Sequence, residues 1–138
     1  MSGPSPHLSW AELACKDGTP YPVPLRKTHA RLLAVEFEGL RAALGVPLRV
    51  VSAYRTPAHN RRVGGARHSQ HVQGRALDLQ PTQGLTVKQL YAVALVQAED
   101  PTSRIRGLGR YRTFVHIDIR PSDRLVCWTG SRMKDATT

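Results

Sequence analysis

The chain of 138 residues lacks several features that mark large protein classes. Its only cysteines, Cys15 and Cys127, are too far apart to form a CxxC metal or redox motif, and one disulfide or two free thiols are both open. No apolar run reaches the roughly 18–20 residues needed to cross a bilayer. No GxGxxG or GxxxxGK string occurs either. These absences exclude a membrane span and nucleotide chemistry.

Length and composition are those of one globular domain. With 41% hydrophobic and 22% charged residues the chain can bury a core, and we expect a single domain over residues 1–138. The opening residues, from Met1 to His7, have neither the basic nor the apolar segment of a secretory signal peptide. We therefore expect any action outside the cytoplasm to depend on another exit route.

Acidic residues are scarce: ten Asp and Glu stand against 20 Lys and Arg, giving a net charge of +10 and a pI near 10.6. Such a charge predicts attraction to polyanions, either nucleic acid or an anionic cell wall. Aromatic residues at 6% leave few stacking platforms, so a nucleic-acid-binding module is the weaker alternative. That alternative depends on four arginines in one region: Arg61, Arg62, Arg67 and Arg75.

Three helices are predicted from capping residues and apolar spacing. The first opens with the capping box of Ser9 and Glu12. The second runs from Arg26 to Leu44, and the third from about Thr86 to Pro101. The polar stretch Arg55–Gln73 is predicted to be a long loop without structure of its own, which is typical of a functional segment.

Strands are predicted over Leu48–Ser52, Arg75–Gln80 and Arg112–Arg120. In the last two, side chains alternate between faces, so the apolar ones can pack against helices. The apolar members are Leu77, Leu79, Val115, Ile117 and Ile119. The opposite face carries Asp78, His116 and Asp118. The pattern predicts an α+β fold, a small antiparallel sheet with helices on one face and a metal site on the other.

His71, Asp78 and His116 form a candidate set of metal ligands. Two imidazoles and one carboxylate suit zinc, and three protein ligands leave a fourth position for water, as in catalytic zinc sites. Such a site favours amide hydrolysis. The alternative is that both are ordinary histidines and that the aspartates cap turns.

The stretch Ser69–Asp78 matches the pattern SxHxxGxAxD at every fixed position. With it, the chain resembles the zinc D-alanyl-D-alanine peptidase family, which groups bacterial carboxypeptidases, vancomycin-resistance dipeptidases, phage endolysins and murein endopeptidases, and whose fold hedgehog domains share. The chain looks most like the compact, single-domain branch. The likeness extends to Leu8–Cys15, Ser52–Asn60, Val63–His71, Gly107–Tyr111 and Phe114–Asp118.

The resemblance implies that His71, Asp78 and His116 bind Zn²⁺. It also implies that Arg55 binds substrate and stabilises the oxyanion, for which a permanently charged, forked guanidinium is suited. The alternative for Arg55 is a solvated loop cation. Ser69 matches a residue that can hydrogen-bond the substrate, or it shapes its loop through the backbone.

The sequence departs from part of the family at the general base. Several members carry Glu or Asp three residues before the last zinc histidine, where this chain has Thr113. Asp118 is the candidate replacement because it lies two residues after His116 on the same predicted face. Alternatively, Asp118 orients a ligand or pairs with Arg120. His68 is a weaker acid/base candidate, and the remaining histidines are interpreted as surface residues: His7, His29 and His59.

The resemblance predicts a zinc-dependent peptidase that cuts an amide bond in peptidoglycan peptide stems, as a D-Ala-D-Ala carboxypeptidase or as a crosslink endopeptidase or endolysin. We expect a monomer acting at the anionic cell wall, phage-encoded and released at lysis or virion-associated if no leader exists. A non-catalytic, zinc-containing binding module of the same fold is the alternative within the family.

Overall fold

The computed structural model describes residues 2–130, so Met1 and residues 131–138 of the predicted domain lie outside the described part. It contains a sheet of five strands. Their bounds are β1 (Arg49–Ser52), β2 (Ala76–Gln80), β3 (Gly107–Arg110), β4 (Val115–Asp118) and β5 (Val126–Thr129). The helices are α1 (Trp10–Leu13), α2 (Arg31–Leu44), α3 (Pro57–Arg62) and α4 (Val87–Ala98).

The strands lie in the order β1-β2-β4-β3-β5, so β4 is central. Neighbouring strands are antiparallel except β3 and β5, which are parallel. The predicted α+β class is therefore confirmed, with one parallel pair added at the edge of an otherwise antiparallel sheet.

Helices cover one face of this sheet, as alternation predicted. The apolar side chains of β2 and β4 join a buried cluster with α2 and α4. Burial of such side chains is the main favourable term in folding. The cluster includes Leu77, Leu79, Val115 and Ile117 from the strands, Leu33, Phe37 and Leu40 from α2, and Leu90 and Ala94 from α4. The other face of β2 and β4 remains available for polar residues.

The first and third predicted helices form with their caps. Ser9 and Glu12 make the capping box of α1, and Thr86 and Gln89 make that of α4. The second differs from the prediction, because residues Arg26–Ala30 form a wider π turn before α2 begins. Tertiary contacts hold this turn: the Arg26 guanidinium lies over the Trp10 ring, and His29 Nδ1 is 3.0 Å from the Gln73 carbonyl oxygen.

The predicted unstructured loop Arg55–Gln73 is partly wrong, because α3 forms inside it. Thr56 caps α3 by accepting a hydrogen bond from the His59 N–H, and Pro57 occupies its first position. Proline is favoured there because its missing N–H would have no helical partner. The strand predicted over Arg112–Arg120 is also shorter, since only Val115–Asp118 pairs as β4.

Both cysteines are free thiols, Cys15 buried and Cys127 exposed. Among residues 2–130, no helix has the length and hydropathy needed to cross a membrane.

Candidate metal centre

One row of residues crosses the whole sheet on the face opposite the helices. Register aligns Ser52 of β1 with Asp78 of β2, and Asp78 with His116 of β4. The row continues through Gly109 of β3 to Trp128 of β5. Because paired residues on antiparallel strands project to the same face, β2 and β4 place Asp78 and His116 side by side.

His71 reaches this row from the loop before β2. Its Nδ1 lies 2.6 Å from the Ala53 carbonyl oxygen, which accepts a hydrogen bond from the ring N–H. With the proton on Nδ1, the Nε2 atom keeps its lone pair free, and it lies 3.1 Å from Oδ1 of Asp78. The backbone is held as well, because the Arg55 N–H donates to the His71 carbonyl at 3.1 Å.

The ligand atoms of His71, Asp78 and His116 all lie within 4.8 Å of one another, and the three residues are at most 2% exposed. The Nδ1 atom of His116 is 2.9 Å from Oδ1 of Asp78. Two buried atoms, His71 Nε2 and Asp78 Oδ2, have no hydrogen-bond partner within the described part of the chain. Since buried polar atoms are normally paired, these orphaned atoms fit a divalent metal ion held by two nitrogens and one oxygen.

The pKa values of the two histidines are shifted in opposite directions. Burial lowers the pKa of His71, so its Nε2 stays neutral and able to bind a metal. Burial also opposes the charged form of His116, but hydrogen bonds with Asp118 and Asp78 outweigh it and raise the pKa of His116 to about 9. Burial likewise acts against ionised Asp78, yet the two imidazoles hold the pKa of Asp78 below its usual value.

Asp118 lies beside His116 and has both oxygens engaged. Its Oδ2 is 2.7 Å from His116 Nε2, and the Arg120 guanidinium donates to Oδ1 at 2.9 Å and Oδ2 at 2.8 Å. Burial raises the pKa of Asp118, but Arg120 and His116 together bring it below its ordinary value. Asp118 is therefore an ionised, doubly anchored carboxylate directly behind one candidate ligand.

Arg55 is only 4% exposed, which rules out a solvated loop cation. Its Nη2 lies 3.7 Å from Oδ2 of Asp78, while Nε donates to Ser52 and Nη1 to Asn60, each at 3.2 Å. Burial lowers the pKa of Arg55, opposed by the charge of Asp78, and a guanidinium remains protonated in such a setting. A fixed positive charge thus lies against the cluster of candidate metal ligands.

Ser69 and His68 occupy different environments. Ser69 is buried, and its Oγ accepts the His71 N–H at 3.2 Å, the loop-shaping contact that the sequence left open. His68 is exposed. The candidate substrate contact at Ser69 and the acid/base role at His68 stay predictions.

The chain was also compared with models of known protein families. The family model described as Peptidase M15 matches residues 6–118, which include the three candidate ligands, Arg55 and Asp118. The chain belongs to the Peptidase M15 family. This is the zinc D-Ala-D-Ala peptidase family of the sequence-based resemblance, which is therefore confirmed. No curated protein matches the chain.

Membership in Peptidase M15 makes the chain a member of a metal-dependent metallopeptidase family. The match ends at Asp118, so two neighbours of the site, Arg120 and Trp128, lie beyond the matched segment. The structure confirms the pairing of Arg120 with Asp118 that the sequence offered as an alternative, whereas the place of Trp128 comes from the structure alone.

Sequence reasoning missed the Trp128 side of this candidate site. The centroid of the Trp128 ring lies 5.3 Å from that of the His116 ring. The Trp128 Nε1 donates to the Tyr111 hydroxyl at 2.8 Å, and the Arg120 guanidinium packs over the face of the indole. Gly109 makes this packing possible, because a Cβ there would lie 2.6 Å from the indole. A Cβ at Gly107 would collide with the Asp118 carboxylate. Two glycines at alternate positions, Gly107 and Gly109, were the signal that bulky neighbours occupy this face.

Proposed function

We propose that the protein is a zinc-dependent peptidoglycan peptidase that hydrolyses an amide bond in cell-wall peptide stems, as a D-Ala-D-Ala carboxypeptidase or as a crosslink endopeptidase or endolysin. The observation that carries the proposal is the buried cluster of His71, Asp78 and His116, with orphaned ligand atoms and the Arg55 guanidinium beside it. A metal ion held by this cluster and the permanent charge of Arg55 would both act on one carbonyl group.

Zinc is the proposed ion because two imidazoles and one carboxylate form a set that zinc uses in catalytic sites. His71 Nε2, a carboxylate oxygen of Asp78 and His116 Nδ1 would hold it. When bound, zinc supplies a Lewis acid for a carbonyl oxygen and lowers the pKa of a coordinated water toward ~7.

The proposed roles of the remaining residues follow from their contacts. Arg55 binds the substrate and stabilises the negative charge that develops on the scissile carbonyl oxygen. Its bonds to Ser52 and Asn60 fix the guanidinium beforehand, which removes the need to reorganise during the reaction. Ser69 holds the His71 loop and is also a proposed substrate contact.

Asp118 has two proposed roles, and its contacts favour one of them. As a general base it would accept a proton, but both of its oxygens are already bonded to Arg120 and one also to His116. Those contacts favour orienting the His116 ring, a role that outer carboxylates commonly play behind metal-ligating histidines. We therefore propose Asp118 first as a positioning residue and second as the base.

The net charge of +10 supports the choice of an anionic cell wall as the place of action. A second candidate function is favoured by these contacts of Asp118 and by Thr113, which stands where several family members have an acid. In it, the fold holds zinc and binds a cell-wall ligand without catalysis.

The test is mass spectrometry of purified peptidoglycan after digestion with the protein, with and without a chelator. We expect chelator-sensitive release of peptide fragments, restored by zinc, with fragment masses that identify the bond. His71→Ala and His116→Ala should release none, whereas His7→Ala, a surface control, should act as the wild type. Zinc binding without fragments would support the non-catalytic candidate, and fragments released equally by the metal-free protein would overturn both.

A further inference from the structure

A second cluster of metal-ligating side chains lies apart from the three ligands above. The ligand atoms of Cys15, Asp17 and His59 are all within 4.8 Å of one another. Cys15 and Asp17 come from the loop after α1, and His59 comes from α3. The cluster therefore joins two segments that are 42 residues or more apart in sequence.

The loop that carries Cys15 and Asp17 is fixed by its own backbone. The Cys15 N–H donates to the Thr19 carbonyl at 2.9 Å, and the Gly18 N–H donates to the Cys15 carbonyl at 3.0 Å. Asp17 accepts the Thr19 N–H at 2.9 Å on one oxygen and the Thr56 hydroxyl at 2.8 Å on the other. A further hydrogen bond joins the Cys15 thiol to the Asp17 carboxylate. Loss of the thiol proton on metal binding would free that lone pair for the ion.

Thr56 connects this loop to the third ligand. Its hydroxyl donates to Asp17 and accepts the His59 N–H at 3.1 Å, so one side chain fixes both Asp17 and the start of α3. The Nδ1 atom of His59 is buried and has no hydrogen-bond partner within residues 2–130. The surface interpretation of His59 from sequence does not account for this orphaned nitrogen.

We propose that Cys15, Asp17 and His59 form a second metal site, for zinc or a similar borderline-soft divalent ion. Cys15 is a free thiol that is 4% exposed, and a thiolate, an imidazole and a carboxylate are all ligands that zinc takes. Sulfur disfavours calcium and magnesium, which prefer oxygen. A tetrahedral ion with bonds of about 2.0–2.3 Å holds its ligand atoms roughly 3.3–3.8 Å apart, so binding requires small side-chain rotations only.

Occupancy would fasten the loop after α1 to α3. This connection matters for the first site because Asn60, next to His59, accepts a hydrogen bond from Arg55 at 3.2 Å. An ion that binds only the folded chain also stabilises it by mass action. The second site would therefore have a structural role, next to the residue that holds the Arg55 guanidinium in place.

Cobalt distinguishes the two sites, because only the second contains sulfur. Titration of the metal-free full chain with Co²⁺ should produce a thiolate-to-cobalt charge-transfer absorption, and elemental analysis after zinc loading should give two ions per chain. Cys15→Ser should abolish the absorption and one ion. The matched control Cys127→Ser, which changes the exposed thiol of β5, should retain both.

Two further variants keep the test independent of folding and of the first site. His59→Ala should weaken the absorption and lower the cobalt affinity, whereas His7→Ala should not, and circular dichroism checks that each is folded. His71→Ala should lose one ion but keep the absorption, so failure of the proposed peptidase site would not remove it. Absence of the absorption in the wild type, or its persistence in Cys15→Ser, would overturn the second site.

Discussion

The Nε2 atom of His116 lies 2.7 Å from Oδ2 of Asp118. This contact occupies one ring nitrogen and turns the other, Nδ1, toward Asp78 at 2.9 Å. Arg120 in turn holds the Asp118 carboxylate with three hydrogen bonds, two from its guanidinium and one from its backbone N–H. The orientation of one candidate metal ligand is thus set by a chain of charged groups on β4 and just after it.

The first prediction concerns Asp118→Asn. Replacing the carboxylate removes the partner that orients His116, so we expect zinc affinity to fall about 10–100-fold. Competition with a chromophoric chelator measures this loss. Asp123→Asn, an exposed change in the turn before β5, is the matched control and should leave zinc affinity unaltered.

Activity at saturating zinc separates the two proposed roles of Asp118. If it positions His116, turnover should largely return once the metal site is filled. If it is the general base, turnover should stay low with zinc fully bound. Unchanged zinc affinity and unchanged turnover in Asp118→Asn would contradict both roles.

The second prediction concerns Arg55→Lys. Lysine cannot reproduce the forked contacts with Ser52 and Asn60, so we expect kcat/KM to fall about 100–1,000-fold through lost oxyanion stabilisation. Zinc content should stay at the wild-type value. Steady-state hydrolysis beside elemental analysis measures both, with Arg61→Lys on the exposed side of α3 as control. Retention of wild-type kcat/KM would contradict a role for Arg55 in the reaction.

The third prediction concerns Gly109→Ala on β3. The added methyl group would lie 2.6 Å from the Trp128 indole, so the Trp128 side chain must shift. We expect a loss of about 1–3 kcal/mol in the free energy of unfolding, measured by urea denaturation. In a Trp128→Ala background the same change should cost much less, since the clash is gone. Equal costs in both backgrounds would show that Trp128 is not the obstacle.

The fourth prediction concerns Glu36, a buried carboxylate on α2. It accepts hydrogen bonds from the Gln97 side chain, the Ser103 hydroxyl and the Arg104 N–H, all between 2.8 and 2.9 Å. Glu36→Ala would leave these donors without a partner, at a cost of about 1–3 kcal/mol or more in unfolding free energy. Glu99→Ala, an exposed change after α4, should cost less than about 0.5 kcal/mol. Similar small effects of both would contradict the role assigned to Glu36.

Alternation alone placed the central part of the candidate site. In β2 and β4 the apolar side chains repeat every second residue, so Asp78, His116 and Asp118 had to share the other face. The register aligns Asp78 with His116 directly. His71 could be added because its loop leads straight into β2 and because the SxHxxGxAxD pattern includes it. The family match covers this stretch, within residues 6–118.

Other parts could not be predicted because local preference opposes them. The β3 strand contains Gly107 and Gly109, which disfavour strands in isolation, and it forms because neighbouring side chains fill their space. Among residues 2–130, β5 pairs with β3 alone and in parallel, so its place depends on β3 being recognised. In contrast, α3 had a readable start in Thr56 and Pro57 that the polar composition of the loop concealed.

The central claim is that His71, Asp78 and His116 bind one zinc ion that is required for amide hydrolysis. The most direct measurement is the rate of peptide release from purified peptidoglycan while metal-free protein is titrated with zinc, in a Cys15→Ser background that lacks the second cluster. We predict that activity rises linearly and reaches a plateau at one zinc per chain, and that adding His71→Ala abolishes it. Activity before any zinc is added, or full activity with His71→Ala, would contradict the account.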